Sequence, residues 1–151
     1  MKPSPTEWNE RSSAEVNARR ELPRMISEYF AEVRDALGDK HSPASLHRIR
    51  LASKKVRYTL ELFRPCYGAA AFDARLKALK DVQTSLGDVN DAVAASQLIG
   101  ELMPHSPGRH ALRAFLKQRA KEKAEEFRAH WTGEFDAPGQ ERWWTGFLGG
   151  R

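Results

Sequence analysis

"LHRIRLASKKVRYTLELF", Leu46 to Phe63, carries His47, Arg48, Arg50, Lys54, Lys55 and Arg57 in a stretch that also holds Ile49, Val56, Leu60 and Phe63. On a helix of about 100° per residue the four apolar side chains share one face, with Ala52 and Thr59 beside them. His47, Arg50, Lys54, Arg57 and Tyr58 form a column on the opposite face, within about 100° of arc. Arg48 and Lys55 lie off to one side. The stretch reads as a helix that buries one face in a bundle and presents cations on the other. Charge runs are commonly solvated faces. Two features weigh against that here. A solvated helix face ordinarily pairs acids with bases at i+4, yet the first acid is Glu61, past the whole column. Like charges one turn apart also repel, and a polyanion would relieve that repulsion. Arginine adds a planar fork suited to phosphate oxygens, and lysine a point charge.

Helix signals continue on both sides of this stretch. Ser42-Pro43 supplies a cap and a first-turn proline, and Pro65 and Gly68 close the helix. Upstream, Ser12 with Glu15 resembles a capping box, which predicts a start near Ser13. Pro23 either begins a new helix or kinks a continuous one. Met25, Ile26, Tyr29, Val33 and Leu37 then repeat at helical spacing up to Gly38. Downstream, a third helix starts near Ala70. Its apolar stripe is Leu76, Leu79, Val82, Leu86, Val89 and Val93, weakened locally by Gly87, and Pro104 stops it. Ser106-Pro107 opens a fourth helix through Leu112, Phe115, Leu116 and Phe127 to about Trp131. A loop over 132–139 leads to RWWTGFL (142–148), expected to cover the bundle. No strand alternation and no tandem repeat is found. Four long amphipathic helices with short connections predict an all-α antiparallel helical bundle. Residues 13–148 form its single domain, between a flexible segment 1–12 and a frayed tail 149–151.

Composition bounds the function. The chain has 151 residues, 40% of them hydrophobic, which suits one core without staples. A net charge of +5 and a pI near 9.6 predict attraction to anions such as nucleic acid, acidic membranes or phosphate polymers. The single cysteine, Cys66, excludes an internal disulfide and a cysteine-based zinc site, and reads as a packing residue. No apolar stretch approaches the ~20 residues a membrane span needs. MKPSPTEWNERSS (1–13) has no apolar signal core. A soluble protein of a reducing cytoplasm is expected. The fourth helix carries a second basic stripe, Arg109, His110, Arg113, Lys117 and Lys121, diluted by Glu122, Glu125 and Glu126.

The quoted helix, followed by "LKALKDVQTSLGDVNDAVAASQLI" (76–99), resembles the conserved histidine α-helical domain, the CHAD family. The matching positions are His47, Arg50, Lys54, Lys55, Val56, Arg57 and Tyr58 on one helix. On the next they are Gln83, Leu86, Gly87, Asn90 and Asp91. The resemblance covers roughly residues 20–131. It implies a non-catalytic helical domain that binds inorganic polyphosphate along a basic surface, near polyphosphate granules or beside a triphosphate-processing enzyme partner. The family usually has two four-helix halves about a pseudo-twofold. This chain has room for one, of the second-half type, so a homodimer completing the groove is expected. The polyphosphate-binding residues implied are His47, Arg50, Lys54, Lys55, Arg57 and Tyr58, with Arg109, Arg113 and Lys117 as a second wall. Recognition would use phosphate contacts alone. Protonated His47 would tighten binding as pH falls through the histidine range. Gln83, Asn90 and Asp91 read as structural.

Three rivals stand beside this reading. Catalysis lacks a paired-carboxylate site, a phosphate-cradling glycine loop or an HExxH arrangement. Asp88 and Asp91 lack a third metal ligand, and His41, His105, His110 and His130 show no i, i+4 pairing. No metal or cofactor is therefore expected. Non-specific nucleic-acid binding would want aromatics for base stacking, and Tyr58 is the only one on the basic face. A helical scaffold would dock through its apolar side.

Overall fold

The structure, a computed structural model, describes residues 7–38 and 42–151. Among the described residues five α-helices follow one another: α1 (Ala14–Gly38), α2 (Pro43–Leu62), α3 (Ala69–Leu102), α4 (Pro107–His130) and α5 (Gln140–Leu148). A 3-10 turn, Arg64–Cys66, separates α2 from α3, and a π turn, Trp131–Phe135, separates α4 from α5. Among the described residues there is no strand, and the chain is the all-α bundle its periodicity predicts. Ser42 Oγ accepts from Ser45 N at 3.1 Å and Ser106 Oγ from Arg109 N at 3.1 Å, so both Ser-Pro pairs cap helices. The α1 cap is Ser13 rather than Ser12: Ser13 Oγ accepts from Val16 N at 3.2 Å. α1 is continuous through Pro23. Its apolar face, with Leu22 and Ile26 buried around the proline, holds the helix together across the lost hydrogen bond.

Successive helices run antiparallel. Arg48 pairs with Asp35, while Tyr29 and Ser53 share a hydrogen bond of 2.7 Å between α1 and α2. On the other side of α2, Leu46 and Val93 line one hollow between α2 and α3, and Arg57 lines another with Lys80 and Gln83. The core fills between α1, α2, α3 and the chain end. Ile26, Phe30, Val33, Ile49, Leu60, Leu79, Val82, Phe127 and Leu148 are all fully buried. The α3 residues that bury, from Phe72 to Ser96, recur at steps of three and four, close to a heptad. The loop expected over 132–139 starts as the π turn, because that winding puts both Trp131 and Phe135 into the aromatic cluster with Tyr29 and Phe30.

α5 closes the bundle as RWWTGFL predicts. Trp144 and Leu148 bury against α1, Arg34 binds Asp136 and Glu141, and Arg75 of α3 sits 3.3 Å over the Trp143 ring. Two expectations are corrected at the chain's ends. Residues 149–151 close a Schellman motif instead of fraying: Gly150 takes φ +78°, and Arg151 N donates to Gly146 O at 2.9 Å. Of the segment 1–12 expected to be flexible, residues 1–6 lie outside the described residues, as does His41. Residues 7–12 are tied down. Asn17, fully buried, accepts from Asn9 N and donates to Asn9 O, and Trp8 packs on Phe63. A third correction concerns α4. The expected stripe residues Leu112 and Phe115 are exposed, and only Ala124 and Phe127 are fully buried. With 34 residues, α3 runs about 51 Å, past the start of α2 at Val93, and the first part of α4 rides on that overhang.

Candidate anion-binding groove

α2 and α3 enclose an open groove. One wall is α2, with Arg50, Lys54, Arg57 and Tyr58; the other is α3, with Lys80, Gln83, Thr84 and Gly87. The period of α2 explains why these side chains meet. Ile49, Val56 and Leu60 bury toward the core, which turns positions 50, 54 and 57 across to α3. Among the described residues no acid lines the groove. The Arg50, Lys54 and Lys80 side chains make no hydrogen bond or ion pair among the described residues, although the Lys80 charge also acts on Asp73. Arg57 has one neighbouring acid, Glu61 on its own helix, at 3.5 Å. The Arg57 guanidinium lies 4.8 Å from the centre of the Tyr58 ring, so the tyrosine is a platform that orients it. Four cations with almost no compensating charge face one cleft, an arrangement that stabilises a bound anion and repels itself without one.

The remaining expected residues divide between this groove and other places. His47 lies next to it, over a small hollow that Arg50 shares with Leu46, Leu86, Val89 and Asn90. Lys55 is not in the groove. It stands between α1 and α2 with Trp8, Glu28, Thr59 and Phe63, and so joins Arg48 on the α1 side of the helix. The 100° step explains the separation, since it carries Lys55 beyond Lys54 to the side away from Arg50 and Arg57. Arg109, Arg113 and Lys117 are not brought to the groove either. Arg109 donates to Gly100 O at 2.8 Å, and the Arg113 guanidinium lies against Gly100, so both pack α4 onto the far end of α3. Lys80 belongs to the groove as well. The signal was its place one turn before Gln83 and two before Gly87. Gln83, read as structural from its lack of charge, lines the groove as well. Asp91 is exposed on α3 outside it.

Gly87 leaves open space where a Cβ would stand, so no neighbour in the bundle requires a glycine there. It reduces this part of the groove lining to backbone. Among the described residues no group of three or more His, Cys, Asp or Glu is placed to hold a metal ion, and no helix is long and apolar enough to cross a membrane.

Comparison with protein families finds one match, to the CHAD domain, over residues 2–100. The matched span takes in α1, α2 and nearly all of α3, hence both walls of the groove. It stops before α4, earlier than the extent of 20–131 read from the sequence. Comparison with curated proteins and with solved structures returns no match.

Proposed function

The chain belongs to the CHAD domain family, a family of helical polyphosphate-binding domains, and on that premise we propose that it binds inorganic polyphosphate in the groove between α2 and α3, without catalysis. The observation that carries this reading is the groove's charge: Arg50, Lys54, Arg57 and Lys80 on two facing walls, with Glu61 beside Arg57 at its edge. A linear polyanion without bases needs repeated phosphate contacts and nothing else, and such a cleft supplies them. Nucleic acid is the weaker fit. Base stacking needs a free aromatic face, and one face of Tyr58 is taken by Arg57.

The groove is open on its outer side, where α2 exposes Leu51 and Leu62. A second copy about a twofold would close it and bring a second set of cations to the same chain of phosphates. Because like charges face each other in that arrangement, the homodimer forms with the ligand rather than ahead of it. With polyphosphate as its ligand, the protein is expected at cytoplasmic polyphosphate granules, beside a triphosphate-processing enzyme partner.

The test is a titration with long-chain polyphosphate, with RNA as competitor, followed in parallel by sedimentation. The expected outcome is that RNA displaces polyphosphate poorly and that sedimenting mass doubles as the ligand is added. RNA that displaces polyphosphate at equal phosphate concentration would make the groove a general polyanion site. A monomer at saturation would remove the second copy from the account.

A further inference from the structure

We propose that Gln83 is a ligand-contacting residue of this groove: its amide nitrogen, on the α3 wall across from Arg57, donates a hydrogen bond directly to a phosphate oxygen. The proposal rests on the polyphosphate reading above and assigns a role to a neutral side chain among its cations.

Gln83 projects from α3 into the wall that faces Arg50, Lys54 and Arg57. The two ends of its amide are in different surroundings. The carbonyl oxygen Oε1 is buried and has no hydrogen-bond partner. Among the described residues no hydrogen bond engages Nε2 either, and it is not one of the buried atoms without partners, so the N–H end is the one open to the groove. Arg57 matches this across the cleft. Its Nε is buried without a hydrogen-bond partner, Glu61 approaches only to 3.5 Å, and Tyr58 fixes the guanidinium plane. The outward groups of the groove are thus donors: the ammonium of Lys54 and Lys80, the guanidinium groups of Arg50 and Arg57, and the Gln83 amide. Thr84 is the exception, its hydroxyl being spent on Lys80 O at 3.0 Å.

A buried carbonyl without a partner is unfavourable. An apolar side chain of similar volume would occupy the same place without that loss. What the amide supplies in exchange is a donor at fixed height on the groove wall. Lysine and arginine attract an anion from a distance; a short neutral donor beside them sets where one oxygen stops. A neutral donor also releases no counterion, which separates its contribution from theirs. Each phosphate-neutralising cation steepens the salt dependence of binding, whereas a neutral hydrogen bond adds affinity equally at every salt concentration.

The experiment compares wild-type protein with Gln83→Met and Gln83→Glu, titrating long-chain polyphosphate over a salt series and melting each protein without ligand. Gln83→Met is expected to bind about tenfold more weakly at every salt concentration, with the salt slope of the wild type and a melting temperature equal to it or higher. Gln83→Glu, which cannot donate and adds a negative charge, is expected to bind more weakly still and with a shallower slope. If Gln83→Met binds as the wild type does, or melts lower, the residue is part of the scaffold and the proposal fails. A slope that falls with Gln83→Met as it does with Lys54→Ala would also overturn it, since the residue would then act by placing cations. Wild-type protein that binds no polyphosphate overturns the function proposed for the groove and this inference with it. Wild-type binding with an unaffected Met variant overturns this inference alone.

Discussion

Lys54 and Lys55 are neighbours in sequence with opposite surroundings. Lys54 stands in the α2–α3 groove with no acid in reach, and Lys55 stands over the α1–α2 seam near Glu28. Their charges are equal in composition and unequal in effect. Coulomb energy at a ligand falls with distance and is screened within about 10 Å at ordinary salt. Lys54→Ala should therefore weaken polyphosphate binding several-fold at low salt, while Lys55→Ala changes it by less than about twofold; single-site titrations of the two variants check this. Equal losses would mean that the ligand covers the outer surface of α2 rather than lying in the groove. At this scale the sequence was partly legible. The helical step separated Arg48 from the column, because it lies a quarter-turn away. Lys55 was admitted by likeness to a family motif, which records order along the chain and not direction from the axis. Gln83 was missed because the search was for charge, and a neutral donor becomes visible only once its unpartnered oxygen and its cationic neighbours are located.

α3 carries Gly87 in mid-helix, where glycine costs about 1 kcal/mol relative to alanine. Nothing lies within 4 Å of the position its Cβ would take, so packing does not repay that cost. An account in which ligand oxygens approach the α3 backbone does explain it. Gly87→Ala should raise the stability of the free protein by about 0.5–1 kcal/mol and weaken polyphosphate binding, as read by thermal melting and titration. A variant that is stabilised but binds as before would mean that the ligand keeps clear of this part of the groove lining. The helices themselves were readable from the sequence because caps and apolar spacing agreed at Ser42-Pro43, Ser106-Pro107 and along α3. The exposure of Leu112 and Phe115 was not. Periodicity reports that a helix has an apolar side, but not whether anything covers it, and α4 outruns its neighbours on the overhang of α3. The Schellman closure at Gly150 was hidden for a related reason. Gly-Gly-Arg reads as a loose end unless the helix before it is anchored, and here Tyr67 holds Leu148 O at 2.9 Å.

Across the whole molecule the hydrophobic core and the cationic groove are two faces of the same helix pair. Burial of Ile49, Val56 and Leu60 fixes the rotation of α2, and burial of Leu79, Val82 and Leu86 fixes that of α3. Those two rotations alone bring Arg50, Lys54 and Arg57 opposite Lys80. The aromatic clasp of α5, with Trp144 and Leu148 on α1, completes the far side of the core and leaves the groove untouched. α4 binds chiefly to α3, and its Arg109 and Arg113 are engaged there, so its basic stripe adds to net charge but not to this cleft. The central claim is therefore that polyphosphate affinity resides in the cations of one groove. The most direct test is the salt dependence of polyphosphate binding for the wild type, Arg50→Ala/Lys54→Ala and Arg113→Ala/Lys117→Ala. The account expects the first double variant to bind far more weakly, with a log–log slope smaller by about two, and the second to keep a slope close to that of the wild type. Two indistinguishable double variants, or a first variant that binds as the wild type does, would contradict it.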